Sequence, residues 1–142
     1  MKFIEGEKGK IFACRLEYDA DLFNSIKKFA KDNKIYAGIF FTIGAVKKAK
    51  LSYYLQEEKK YQDLSIDKPL EIASCLGSIS KFKSEISVHA HITFSDVDGK
   101  TYGGHLIEGT NIFAGELFVM ALEGIELERS YDEVTGLNLI KI

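Results

Sequence analysis

The residues best suited to chemistry in this chain are its three histidines, His89, His91 and His105, and all of them fall within SVHAHITFSDVDGKTYGGHLIEG, residues 87–109. Imidazole is a general acid or base near neutral pH and the commonest protein metal ligand. Strand side chains alternate from face to face, so His89 and His91 share a face if this stretch is extended. Whether His105 joins them depends on the turn through Ser95-Asp96-Val97-Asp98-Gly99-Lys100. A type I turn with Gly99 in the left-handed position pairs Asp96 with Lys100. It sets Phe94 opposite Tyr102, Ile92 opposite Gly104, Ala90 opposite Leu106 and Val88 opposite Glu108, and it brings His91 against His105. A two-residue turn on Asp98-Gly99 shifts the register by one and sends His105 to the other face. The apolar pairing favours the first register.

Three neutral imidazoles on rigid strands suit a divalent transition metal, zinc among them, with one position open for water or a small-molecule ligand. Gly103 and Gly104 fit close approach by a ligand or by another backbone. The competing reading is a set of surface histidines with no ligand. Two acids in apolar stretches, Glu71 and Glu116, are candidates for a catalytic base or an extra ligand, because a carboxylate there needs a partner. For Glu71 that partner is otherwise a lysine or Arg15, and Arg129 is expected to be an exposed residue paired with a nearby acid. No G-x-S-x-G, H-E-x-x-H or phosphate-loop sequence is present, and whether any reaction takes place at the histidines is left open.

The elements that must position these residues are mostly strands. Residues 10–18 alternate, with Ile11, Ala13 and Arg15 on one side and Phe12, Cys14 and Leu16 on the other. The period then lengthens: Leu22, Ile26, Phe29 and Ala30 describe an amphipathic helix over roughly 20–33, with Asp19 as its N-cap. Strands are predicted over 35–43 and 49–56, interrupted at Gly44-Ala45, with a short paired stretch at 61–66. Further strands follow over 70–80, 86–95 and 100–108. Residues 117–122 could continue a helix by composition, but the preceding β context favours a strand through Phe113–Leu122. ELERSYDEV reads as a short strand followed by a turn or helical turn, and 137–142 closes the chain as a strand. The layout is α+β, a mostly antiparallel sheet with one main amphipathic helix packed on it, in a single domain spanning 1–142.

The totals agree. The chain has 142 residues, 46% hydrophobic and 28% charged, with ten Phe, seven Tyr and one Pro, which is enough for a real core and too little Pro for linkers. A net charge of −2 disfavours DNA as a partner, since domains that bind it alone usually carry a basic excess. Cys14 and Cys75 lie in apolar runs outside metal-ligand spacing and read as small buried hydrophobes. MKFIEGEKGK lacks an apolar leader core and no run is long enough to span a membrane, so the expected address is a reducing cytoplasm.

Several residues taken together resemble the plants-and-prokaryotes-conserved (PPC) domain family, the domain of AT-hook nuclear proteins. They are Gly44-Ala45 followed by Leu51 and Tyr53-Tyr54, Pro69-Leu70-Glu71-Ile72 leading to Gly77, His89-Ala90-His91, Asp98-Gly99, Gly103-Gly104-His105-Leu106, and Glu116. The likeness runs from Arg15 to about Leu122. It implies an α+β fold assembled as a homotrimer, with a metal or small-ligand site at His89, His91 and His105 as in similar prokaryotic proteins. The plant members bind DNA through AT-hooks, and this sequence has no Arg-Gly-Arg-Pro segment of that kind.

Overall fold

A computed structural model describes residues 1–142. Nine strands and one helix follow in the order β1 (Glu7–Arg15), α1 (Leu22–Asp32), β2 (Gly38–Leu55), β3 (Lys60–Ile66), β4 (Leu70–Phe82), β5 (Glu85–Ser95), β6 (Thr101–Leu106), β7 (Asn111–Glu123), β8 (Arg129–Asp132) and β9 (Leu137–Ile140). The α+β reading holds with its weight on the sheet, since the one helix has 11 residues. Seven strands form an antiparallel sheet in the order β1-β7-β2-β4-β5-β6, with β3 attached to β2, and β8-β9 form a separate hairpin.

β2 organises this sheet. Its first half lies between β7 and β4, with Phe41 opposite both Phe118 and Leu76. Its second half pairs with β3 and also with β6, where Leu51 meets Leu106 and Ser52 meets His105. The path β2-β4-β5-β6 therefore returns to β2, which removes two open edges. The expected break at Gly44-Ala45 is instead a bulge inside one 18-residue strand. Gly44 sits at φ +139, and a Cβ on it would lie 2.2 Å from the Ala114 carbonyl oxygen, so the strand continues only because that position has no side chain.

The core lies between the sheet and α1. Leu22, Ile26 and Ala30 of the helix are fully buried, and Phe29 meets Phe12 edge-on at 5.3 Å. The helix begins two residues later than expected. Asp21 is the N-cap, accepting from the Asn24 amide at 2.8 Å, while Asp19 takes a left-handed φ of 64 and pairs with Lys47. Both cysteines are free, and Cys75 is buried in the core.

β5 carries the site, and its two faces divide cleanly. Ile86, Val88, Ala90, Ile92 and Phe94 are buried, while Ser87, His89, His91, Thr93 and Ser95 alternate on the other side. The residues KFKSE do more than connect: β4 and β5 run on to a two-residue turn at Lys83-Ser84, both with positive φ, the geometry that suits the twist of a hairpin.

Candidate functional site: a three-histidine cluster

The turn after β5 takes the register that clusters the histidines. The Gly99 amide donates to the Asp96 carbonyl at 2.9 Å and the Asp96 amide to the Lys100 carbonyl at 3.0 Å, with Gly99 at φ +76. Ser95 then faces Thr101, Phe94 faces Tyr102, Thr93 faces Gly103, Ile92 faces Gly104 and His91 faces His105. The expected pairs Ala90–Leu106 and Val88–Glu108 do not form. After His105 the strand leaves β5 for β2, and Leu106 is claimed by Leu51. Gly104 accounts for this crossing, because a Cβ there would lie 2.9 Å from the Ser52 carbonyl oxygen. Its missing side chain thus admits the backbone of β2, whereas a Cβ on Gly103 would meet only its own hairpin partner, 3.3 Å from the Ile92 carbonyl oxygen.

The ring centroids of His89 and His91 are 5.1 Å apart, those of His89 and His105 5.1 Å, and those of His91 and His105 5.8 Å. One ring nitrogen from each lies within 4.8 Å of the others, and no carboxylate joins the group. Nitrogens sharing one tetrahedral zinc at about 2.1 Å stand about 3.4 Å apart, so side-chain rotations that draw the rings inward by about an ångström are needed to bring the three to a common centre. Burial, the Arg129 guanidinium and the other two imidazoles push the pKa of His89 down to about 4. Burial, then His91 and Arg129, lower that of His105. Both rings are thereby held in the neutral form that a metal requires. The Nδ1 of His105 is buried and has no hydrogen-bond partner in the protein. A buried polar atom without a partner costs about 1–3 kcal/mol, which a ligand that satisfies it would recover.

Two distant segments complete the surroundings. Tyr61 of β3 lies against the His105 ring at 5.3 Å and against Tyr54 at 5.0 Å. Burial raises its phenol pKa, so it is an uncharged neighbour. Arg129 of β8 is half-buried and meets no acid, contrary to the sequence expectation. Its Nε donates to Ser80 Oγ at 2.8 Å, Nη1 to the Asn138 carbonyl at 2.9 Å and Nη2 to Ser78 Oγ at 3.1 Å. Nη2 also stands 3.5 Å from His89 Nδ1, contact rather than a formed hydrogen bond. Only a contact map could have found it, because Arg129 lies 40 residues from His89.

The two candidate acids stand elsewhere. Glu71 is exposed on β4 opposite Ser95, four residues along β5 from His91. Glu116 is exposed on β7 opposite Arg15 and Ile43, with β2 and β4 between it and β5. Neither belongs to the histidine group, and neither forms an ion pair. Exposure to water removes the need for a partner that the sequence had suggested.

Beside the cluster lies an unusual outer face. Ile11, Ile39, Phe41, Ile43 and Leu76 are each between 47% and 64% exposed, and Phe41 stacks on Phe118 at 4.8 Å. Leu76 is the cross-strand neighbour of His91, so this apolar face runs up to the histidines.

Comparison with known proteins agrees with this architecture. A metal-containing protein of Archaeoglobus fulgidus is 42% identical, with a TM-score of 0.95 and full coverage of both chains. A plant- and prokaryote-conserved protein of Pyrococcus horikoshii is 31% identical with a TM-score of 0.93, over 100% of this chain and 98% of that one. A candidate DNA-binding protein of Bacteroides thetaiotaomicron is 25% identical with a TM-score of 0.85, over 96% of each chain. The bifunctional GlmU proteins of two Synechococcus strains match at 29% and 30% identity over 89% of this chain, which spans only about a fifth of their length. The model of the Plants and Prokaryotes Conserved domain matches residues 3–123, and the chain therefore belongs to that family.

Proposed function

We propose that this chain is a trimeric member of the family that holds a divalent metal ion, zinc among the candidates, between His89, His91 and His105, and that the ion anchors a small-molecule ligand. The observation that carries the reading is the convergence of three ring nitrogens within 4.8 Å, two of them on rings kept neutral by their surroundings and one ring with an unpartnered buried nitrogen. An ion held there would supply a Lewis acid able to polarise a bound oxygen. Glu71 and Glu116 stand apart from the histidines, so the reading includes no carboxylate base. The name of the Archaeoglobus neighbour points the same way.

The trimer rests on the family resemblance and on the exposed apolar face along β1, β2, β4 and β7. Large contiguous apolar patches on a soluble fold mark contact surfaces. Sedimentation of the native protein and of a Phe41→Glu variant tests it: a trimer that falls to monomer is expected, and a native monomer refutes it.

For the metal, the test is elemental analysis of protein purified without a histidine tag. About one ion per chain is expected, and its loss in a His89→Ala/His91→Ala variant. Absence of stoichiometric metal in the native protein, or metal content unchanged in the variant, would refute the site.

The competing reading is a DNA-binding module. It is favoured by the exposed Lys27, Lys31 and Lys34 along and just after α1 and by the name of the Bacteroides neighbour. Against it stand the net charge of −2 and the commitment of Lys28 to Asp32. A gel shift at about 50 mM salt, where phosphate contacts are strong, is expected to show no complex at micromolar protein. A complex that weakens steeply with added salt would reverse the order of the two readings.

A further inference from the structure

The charge around the histidine cluster is out of balance, and the imbalance specifies what the site takes. Arg129 is a half-buried guanidinium that belongs to none of the ion pairs in the structure. Its protein partners, Ser78, Ser80 and the Asn138 carbonyl, are all neutral. No carboxylate joins the histidine group beside it. Asp63, an acid across from Ser52 on β3, is already engaged by Ser52 and by Lys50 at 3.1 Å.

A charge removed from water without a partner is costly, and buried charges are ordinarily paired. The protein provides none here. Adding a divalent cation on the histidines, which are neutral ligands, would deepen the positive excess. Of the five N–H groups of a guanidinium, three are taken by oxygen atoms of the protein. One of the remaining two belongs to Nη2, the nitrogen beside His89. Guanidinium forks of this kind match the oxygens of carboxylates and phosphates.

We propose that the ligand of the histidine site is a small oxyanion, a carboxylate- or phosphate-bearing molecule, whose negative group is paired by Arg129 while the histidine-bound metal takes another of its oxygens. The inference rests on the metal reading above for the second contact, and on Arg129 alone for the first. Arg129 is then a ligand-binding residue, and its bonds to Ser78, Ser80 and Asn138 are what hold the fork in place without a competing carboxylate.

The experiment uses the untagged protein, stripped and reloaded with one equivalent of cobalt(II), whose visible spectrum reports changes at the ion. Inorganic phosphate and acetate are titrated separately, by absorbance on the cobalt form and by calorimetry on both the cobalt and the metal-free forms. Saturable binding of at least one anion is expected. Arg129→Gln should weaken it about tenfold or more, the scale of a lost charge-assisted contact, while cobalt affinity changes less than about threefold. Arg129→Lys, which keeps the charge and loses the fork, should fall between. Phosphate binding with acetate silent assigns a phosphoryl group, and the reverse assigns a carboxylate. If neither anion binds below about 10 mM, the weak end of specific affinity, or if Arg129→Gln and Arg129→Lys both bind like the native protein, the proposal is overturned. Failure to hold cobalt refutes the metal site separately, and calorimetry on the metal-free protein still decides whether Arg129 binds an anion.

Discussion

The two ends of the β5–β6 hairpin carry polar clusters built on opposite principles. At the turn, the Asp96 side chain is only 4% exposed and is fully engaged: it accepts from Lys68 at 2.6 Å, the Lys100 amide at 2.9 Å, the Asp98 amide at 3.1 Å and the Tyr102 hydroxyl at 3.1 Å. The Lys68 hydrogen bond does most to pull its pKa down to about 2, and Lys68 is raised in return. At the other end, a histidine nitrogen is buried without a partner and an arginine is half-buried without an acid. The turn cluster closes on itself and does structural work only. The histidine cluster leaves donor and acceptor capacity unused, which is how a binding site differs from a structural network.

That contrast can be broken or sharpened at several points. The largest effect is expected from His91→Ala, which removes an exposed imidazole of the proposed metal site and should lower metal affinity on the order of 100-fold or more. The melting temperature of the metal-free protein should barely move, because the lost ring is solvated. Competition with a chelating dye measures the first and calorimetric scanning the second; a large drop in melting temperature would mean that His91 is structural after all. Gly104→Ala comes next. The new Cβ would press on the Ser52 carbonyl, so roughly 1–3 kcal/mol of stability should be lost, together with some metal affinity as His105 is displaced, both readable by denaturant titration and dye competition.

Acid should unfold the metal-free protein in two separate windows. His89 has a folded pKa of about 4, below its ordinary 6.5, so the unfolded chain takes up a proton first as pH falls. Stability is therefore full above pH 6.5 and declines toward pH 4, by roughly 1–2 kcal/mol once the half-exposed ring is discounted for screening. Asp96 behaves in the carboxylate manner: its contribution is present above its unfolded value of 3.8 and is lost as pH falls toward about 2. Urea midpoints against pH should show the upper step vanish in His89→Ala and the lower step vanish in Asp96→Asn. The smallest effect belongs to Gly99→Ala at the turn. An alanine at φ +76 costs about 1 kcal/mol, and the metal content should be unchanged because the pairing of His91 with His105 is also held by the rest of the hairpin.

The pattern of what was legible in sequence follows the range of the forces involved. Period-two alternation placed His89 and His91 on one side of β5, and the apolar pairing across the hairpin favoured the register that added His105; both are local facts. The long β2 was read as two strands because Gly44-Ala45 has the composition of a break, and only the Ala114 backbone packed against it shows that the strand passes through. The pairs past His105 were misjudged because β6 is drawn to β2, a partner some fifty residues earlier. Arg129 and Tyr61 were overlooked for the same reason, and Glu71 and Glu116 were overrated because an acid in an apolar run can still face water at a sheet surface. One site thus divides into a legible half, made by a hairpin, and an illegible half, made by tertiary closure.

That division has a kinetic consequence. The three histidines span 17 residues, 89 through 105, joined by a single tight turn. Hairpins of this kind close in about 1–10 μs, well ahead of long-range strand pairing. Arg129 must cross 40 residues to reach His89, and Thr42 crosses 74 to reach Glu116. Metal capture at the hairpin can therefore precede the completed sheet, and the ion would lower the loop-closure cost of the strands that follow. The proposed anion contact at Arg129, by contrast, forms only once β8 has docked, so on this reading the ligand set assembles first and ligand selectivity last.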